Sequence, residues 1–315
     1  MTAASPAIAV SQLTRRFDDF TAVEDLTFTV SPGEIFGLVG PNGAGKTTLM
    51  RILTGLLVPT SGEARVAGVD VVRHRAEVKQ HIGYMAQLFC LYPELTVQEN
   101  LEFFGGLYGL DTAVRRERQA WALATAGLEG HEQQLTSALP LGWKQRLSLA
   151  AAVMHEPDIL VLDEPTSGVD PLSRRAFWDL IAQLAEQGKT ILISTHHIEE
   201  AEYCERIAVL NRARLVALGA PRELKRELEG RTLELQVTGL EQAISALDAD
   251  PQVLNVAMFG RRLHVAVDDR DAALRRLPEL MRQAGAGVTD MIPIEPSLED
   301  AVMMLIRHSG GAVAG

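Results

Sequence analysis

Long apolar runs are missing from this chain. No stretch approaches the roughly 18 consecutive apolar residues that a membrane-crossing helix requires. The sequence therefore predicts a polypeptide that is soluble by itself, so that any role at a membrane falls to a partner. Cysteine is scarce as well. The two cysteines, Cys90 and Cys204, lie far apart and show no metal-ligand spacing. That excludes a disulfide framework and leaves reduced thiols in a cytosolic protein as the expectation. An excess of positive charge is also absent. With 30 Lys and Arg against 41 Asp and Glu, the net charge is −11. A surface of that sign disfavours broad binding to nucleic acid or anionic lipid, while leaving a local basic patch open. Met1 to Pro6 is short, uncharged and followed by strand-like sequence, so no secretory leader is expected. No internal repeat is visible.

What is present is ordinary globular material. The 315 residues are 47% hydrophobic and 23% charged, enough for about two domains with ample core. One stretch organises the rest: Gly40-Pro-Asn-Gly-Ala-Gly-Lys-Thr-Thr48. It fits the phosphate-loop spacing G-x-x-x-x-G-K-[ST], with Gly40, Gly45, Lys46 and Thr47 at the fixed positions. Pro41, Asn42, Gly43 and Ala44 fill the loop, and Thr48 follows it. Glycine lets backbone N–H groups approach an anion closely. Lys46 brings a point charge to the outer phosphates, and the Thr47 hydroxyl can ligate Mg²⁺. The apolar run Glu34-Ile-Phe-Gly-Leu-Val reads as a buried strand before the loop. Thr48-Leu-Met-Arg-Ile-Leu has helical spacing after it, so a helix starting near Lys46 would aim its positive end at the phosphates.

Before the loop, Ile8-Ala-Val-Ser-Gln-Leu and Leu26-Thr-Phe-Thr-Val alternate as half-buried antiparallel strands do. Phe17 lies between them, where an aromatic can stack on a purine or belong to the core. Ile82-Gly-Tyr-Met-Ala-Gln87 reads as a strand ending on a polar residue. Leu95 to Gly130 is predicted mostly helical, with Thr96 and Glu99 as a capping box. Pro140 suits the first turn of a helix that runs to about Met154. Ile159-Leu-Val-Leu then delivers Asp163 and Glu164 at the end of a buried strand, and Thr190-Ile-Leu-Ile-Ser-Thr-His196 repeats the plan. In open α/β sheets that end of the strands is where ligands bind. Composition shifts at 221–230, a charged helical link. From 231 to 308 the order is strand, helix, strand, strand, helix, strand and a last helix opened by Ser297 and Asp300. This βαββαβ order suits a small α+β ferredoxin-like domain. The tail 309–315 is expected to be disordered.

With these residues in place, the stretch from about 8 to 220 resembles the ATP-binding subunits of ABC transporters. The resemblance implies an α/β P-loop NTPase fold: a RecA-like core, an antiparallel β subdomain and an α-helical subdomain at about 91–155. It implies ATP and Mg²⁺ as ligands. Phe17 falls at the position that stacks on adenine, Gly40–Thr48 at Walker A, Gln87 at the Q-loop and Asp163-Glu164 at Walker B. Asp170 falls at the D-loop and His196 at the switch histidine. By that resemblance Asp163 and Thr47 hold Mg²⁺, Gln87 senses it or the γ-phosphate, Glu164 is the general base and His196 orients the attacking water. His197 is read as a bystander. The signature motif departs from the family's usual Leu-Ser-Gly-Gly-Gln and reads Leu139-Pro140-Leu141-Gly142-Trp. Pro140 has neither the serine hydroxyl nor an N–H, while Gly142 and the helix start behind it keep donors for the nucleotide of an opposite subunit.

The signature variant, Ser194-Thr-His-His-Ile-Glu-Glu-Ala-Glu and Ile294-Glu-Pro-Ser-Leu-Glu-Asp-Ala are similar to the ATPases of ABC-2 type exporters of the daunorubicin-resistance-like group. That likeness implies a homodimer bound to a separate polytopic permease, peripheral on the cytoplasmic side of the inner membrane, with no nucleic-acid partner. Two alternatives stay open here: an ABC-type ATPase not coupled to transport, and a low-activity ATP-binding regulator with a degenerate signature.

Overall fold

The computed structural model describes residues 5–87 and 91–309. They belong to two compact units, Met1–Leu215 and Val216–Gly315. The elements of the first run in the order β1 (Ile8–Phe17), β2 (Phe20–Val30), β3 (Ile35–Val39), α1 (Lys46–Leu53), β4 (Ser61–Val66), β5 (Val69–Asp70), α2 (Arg75–His81) and β6 (Ile82–Met85). Then follow α3 (Val97–Leu107), α4 (Thr112–Ala126), α5 (Leu141–Val153), β7 (Ile159–Asp163), α6 (Pro171–Glu186), β8 (Thr190–Thr195), β9 (Arg206–Asn211) and β10 (Arg214–Gly219), the last crossing the boundary between the units. Cys90 lies outside the described residues. No helix among the described residues is long and apolar enough to cross a membrane.

Two sheets share one core. β3, β7 and β8 are buried along their whole length, as strands covered on both faces must be. They lie in a six-stranded sheet of order β10-β9-β3-β8-β7-β6, whose β9-β3-β8-β7-β6 pairings are all parallel. A second sheet, β2-β1-β4-β5, is antiparallel. One apolar cluster joins its inward residues Ile8, Leu13 and Leu26 to Leu49 and Met50 of α1 and to Phe36 and Leu38 of β3. Parallel strands must all end on the same side. That geometry, and no local feature, gathers the loops after β3, β6, β7 and β8 at one edge.

The helical part 91–155 packs α3, α4 and α5 around Val97, Leu101, Leu147 and Met154. Thr96 and Glu99 form the expected capping box at the head of α3. Pro140 sits one position earlier than anticipated, as the N-cap of α5, with φ −57° and ψ 151°. Asn100, fully buried, accepts from Tyr92 N at 2.8 Å. Its amide donates to Tyr92 O at 2.9 Å and Thr136 Oγ1 at 2.9 Å. It therefore holds the segment ahead of α3 in a fixed shape.

The second unit contains α7 (Pro221–Arg226), β11 (Thr232–Thr238), α8 (Leu240–Asp248), β12 (Val253–Phe259), β13 (Arg262–Val267), α9 (Arg270–Gln283), β14 (Gly287–Ile294) and α10 (Leu298–His308). Its antiparallel sheet has the order β12-β13-β11-β14. With the βαββαβ sequence this is the ferredoxin-like arrangement. Leu233, Leu235 and Val265 pack with Leu247, Leu277 and Met281 of the two crossover helices. Ser297 and Asp300 cap α10. Ser309, expected in a disordered tail, closes that helix by donating its hydroxyl to Ile306 O at 2.7 Å; residues 310–315 lie outside the described residues.

Replacing Asn100 by Ala strands a buried N–H and two carbonyl or hydroxyl acceptors. It should destabilise the first unit by about 1–3 kcal/mol, read as a lower urea midpoint at unchanged slope.

Candidate active site

The phosphate loop joins β3 to α1, and α1 begins at Lys46 with Gly45 as its N-cap, as the spacing predicts. The two outer glycines are dictated by neighbours as well as by any anion. A Cβ on Gly40 would sit 2.2 Å from Leu210 O, and one on Gly45 2.3 Å from Ala22 O. At φ 156° and 107° both occupy backbone space that side chains avoid. Lys46 is 4% exposed. Its ammonium donates to Gly40 O at 2.7 Å and Pro41 O at 3.1 Å and lies 3.3 Å from Glu164 Oε1. Burial pulls its pKa below the usual lysine value, opposed by the carboxylates of Glu164 and Asp163.

Asp163 ends β7 and is fully buried. Its Oδ1 accepts from Ser194 Oγ at 2.7 Å and Thr47 Oγ1 at 3.1 Å. Burial raises its pKa, and those two hydroxyls hold the rise in check. Its Oδ2 is buried with no hydrogen-bond partner. An acceptor-only oxygen beside a threonine hydroxyl suits a hard, oxygen-seeking cation, so Asp163 and Thr47 fit the expected Mg²⁺. Among the described residues no three His, Cys, Asp or Glu side chains are placed to hold a metal. Asp163 and Thr47 by themselves would supply a partial coordination shell, the usual arrangement for a cation that also binds phosphates and water.

Glu164 follows with φ 47°, a left-handed conformation that costs a non-glycine residue about 1–2 kcal/mol. Its N–H donates to Ser194 Oγ at 2.9 Å, which fixes that conformation. The carboxylate is thereby turned toward the loop, where Gln87 Nε2 and His196 Nδ1 each lie 3.1 Å from Oε2. With Lys46 at the head of α1, three residues from three separate segments thus surround one carboxylate. Ser194 is a functional residue that sequence reasoning passed over. Its signal was a hydroxyl inside an otherwise apolar run, one place before Thr195-His196. His197 stacks at a tilt on His196, centroids 4.1 Å apart. Its pKa is lowered by burial and by that neighbour, and it makes no bond to Glu164.

An open depression of about 260 Å³ fronts the loop, lined by Phe20, Asn42, Gly43, Thr48, Gln87 and Glu164 among others. Phe17 is not in this lining. The core alternative for it fails: it is 40% exposed at the tip of the β1–β2 hairpin, under the Arg15 guanidinium. Phe20, paired with it across the turn and 61% exposed, is the aromatic beside the loop. The signature residues and Asp170 also lie away from this depression. Leu139 is buried in the helical core, so its side chain packs and does not bind. Gly142 is required by packing, since a Cβ there would meet Ser173 Cβ at 2.4 Å. Leu141 is exposed. Asp170 caps α6 by accepting from Ser173 N at 3.0 Å, and that bond holds its carboxyl below the usual range. Signature and D-loop therefore form a second locus, the adjoining heads of α5 and α6.

A phosphate loop on a parallel sheet, with an acid pair at the end of the next strand but one, defines a P-loop nucleotide-binding protein. Comparison with known proteins narrows this. The family model described as ABC transporter matches residues 23–167. The chain is 51% identical over 218 residues to the probable multidrug ABC transporter ATP-binding protein YbhF of Escherichia coli (strain K12), covering 69% of this chain and 38% of that protein. It thus spans well under half the length of that relative. It is 36% identical over 274 residues to the Nod factor export ATP-binding protein I of Paraburkholderia xenovorans (strain LB400), covering 87% and 90% of the two chains. Among solved structures it resembles an ATP-binding cassette captured as a dimer in a post-hydrolysis state with ADP and Pi, with TM-score 0.62 and 27% identity, over 68% of this chain and 98% of that one. The chain belongs to the ABC transporter family, as one of its ATP-binding proteins.

Asp163→Asn removes a desolvated charge while keeping the size and an oxygen to accept from the Ser194 and Thr47 hydroxyls. In the absence of nucleotide it should stabilise the chain at neutral pH by about 1 kcal/mol. The sign follows from the raised pKa. The native state holds the Asp163 proton more tightly than the unfolded chain, so wild-type stability falls as pH rises from the ordinary carboxylate pKa to the raised one. The variant's advantage should therefore grow across that window and stay constant above it, in thermal unfolding at a series of pH values. Mg²⁺-dependent ATP binding should weaken in the same variant.

Proposed function

We propose that this chain hydrolyses ATP with Mg²⁺ between two copies of itself and so powers export through a separate polytopic permease. The observation that carries the reading is the Glu164 carboxylate, held by Lys46, Gln87 and His196 beside the phosphate loop. Lys46 occupies that carboxylate and the loop carbonyls; a triphosphate in the loop would draw its ammonium away. Glu164 Oε1 is then free to accept a proton from water as general base, with His196 orienting that water and Gln87 reporting the γ-phosphate. Bound Mg²⁺, held by Thr47 and Asp163, would neutralise charge on the phosphate oxygens. Phe17 or Phe20, at the hairpin tip, offers a ring for the base to stack on.

The separation between the P-loop depression and the α5–α6 heads supports pairing. One copy presents Lys46 and Glu164, and its partner would bring Leu141, Gly142 and Asp170 to the nucleotide, most simply about a two-fold axis. Exposed Leu56 and Leu107 line an open depression of about 730 Å³ with Lys79, Tyr84, Tyr108 and His155, and exposed Tyr92 and Phe103 meet edge to face with centroids 4.8 Å apart. An apolar surface of this kind suits a permease segment. Docking there would make the protein peripheral on the cytoplasmic face, and the relatives' names, multidrug and Nod factor export, favour the outward direction. In this reading residues 1–220 are the ATPase domain, 91–155 its helical subdomain, and 231–308 an accessory domain after the link at 221–230. A second reading, an ATP-binding regulator of low activity, rests on Pro140, whose ring supplies no N–H at the signature.

Glu164→Gln should bind ATP with unchanged affinity, lose at least about a hundredfold in phosphate release and elute as a nucleotide-dependent dimer on gel filtration. Brisk turnover by this variant sinks the general-base assignment. Restoring the family signature with Pro140→Ser and Leu141→Gly should raise ATPase activity or ATP affinity severalfold, about 1 kcal/mol per recovered hydrogen bond. An absence of phosphate release in the wild-type chain with its permease would favour the regulator.

A further inference from the structure

Behind the Glu164 cluster lies a second carboxylate to which the proposed hydrolysis gives no role. Glu200 belongs to the short 3-10 turn Ile198–Tyr203 after β8 and is 2% exposed. A buried carboxylate is costly unless it is paired and hydrogen-bonded; here two hydroxyls donate to it and a guanidinium pairs with its charge. Thr166 Oγ1 donates to Oε1 at 2.6 Å. Thr195 Oγ1 donates to Oε2 at 2.8 Å. Arg174 Nε stands 3.3 Å from Oε1.

Each partner borders a segment that the reaction uses. Thr195 precedes His196, and its hydroxyl also accepts from His197 N at 2.9 Å, so it shapes the turn that aims the His196 ring at Glu164. Thr166 lies two residues after Glu164. Arg174 belongs to the first turns of α6, and its Nη2 donates to Val169 O at 3.3 Å, next to Asp170. Ser173, the neighbour of Arg174, is packed against Gly142 at the head of α5. One buried charge therefore links the histidine turn, the acid turn and the α5–α6 locus. Neutral side chains would fill the same space. A charge is needed only if all three must be held at once, because a carboxylate accepts from both hydroxyls and pairs with the guanidinium together.

We propose that Glu200 is a positioning residue for hydrolysis: through Thr195, Thr166 and Arg174 it keeps His196 and the Asp170 segment in register with Glu164. The inference rests on the ATPase reading above. Glu200→Gln keeps the size but cannot accept from both hydroxyls while pairing with Arg174. In the full chain its kcat for phosphate release should fall about tenfold, with KM for ATP and the stoichiometry of bound ATPγS within about twofold of wild type. Glu200→Asp, which keeps the charge, should recover part of the loss. Thr195→Val removes only the link to the histidine turn and should reproduce the kcat loss severalfold. The double variant Thr195→Val/Glu200→Gln should be no more than about twofold worse than the poorer single, as residues acting in one unit behave.

An unchanged kcat in Glu200→Gln overturns the proposal, as does a loss matched by lost binding stoichiometry, which would mean a purely structural role. If Glu200→Gln does not fold, Thr195→Val decides alone, and a wild-type kcat in it overturns the proposal. Inactivity of the wild-type chain would overturn the ATPase reading and this inference with it.

Discussion

The register of the parallel sheet is the constraint on which the site depends. Asp163 lies opposite Ser194 and Val39 opposite Thr195, so the loops after β3, β7 and β8 leave the sheet at one level. Ser194 then does two things at once: it donates to Asp163 and accepts from the backbone N–H of Glu164. A slip of one residue would turn Ser194 to the other face of the sheet. Asp163 would lose a donor, and the left-handed backbone of Glu164 its anchor. The buried apolar runs before each loop are what forbid that slip.

Around this frame the charges are arranged in two layers. The layer facing the loop holds buried Lys46 and Glu164 with the more exposed Gln87 and His196. The layer behind holds the buried carboxylates of Asp163 with its hydroxyls and of Glu200 with Thr166, Thr195 and Arg174. Burial makes the charged state of Asp163 expensive, and in the proposed reading a cation or phosphate-bound metal would relieve that cost, an exchange of stability for activity. Lys46 shows the same economy from the opposite sign: burial disfavours its charge, and two carbonyls and a carboxylate hold it until a polyanion replaces them.

The signature region reads differently in three dimensions than in sequence. Leu139 and Gly142 are accounted for by packing within the chain, the first in the helical core, the second against Ser173. What stays exposed there is Leu141 and the heads of α5 and α6, the surface that the proposed pairing would use. Pro140 fits this as an N-cap: its fixed φ suits the position, and its carbonyl accepts from Trp143 N and Lys144 N, both at 3.0 Å. The departure from the usual motif therefore leaves the local backbone intact and alters only what is offered outward.

Sequence alone determined the phosphate loop, the strand-to-acid transitions at Asp163 and His196, the capping boxes at Thr96 and Ser297, and the βαββαβ order of the second unit. These depend on residue type at fixed short spacing, and neighbours along the chain suffice to enforce them. Only the tertiary structure decided that Phe20 lines the depression before the loop, that Ser194 bridges the two acids, that Glu200 is a buried node, and that Gly142 serves a helix contact. Each of those is a meeting of segments far apart in sequence. Local pattern cannot encode which side chain a distant strand or helix places within 3 Å, because that distance is set by sheet register and helix packing together.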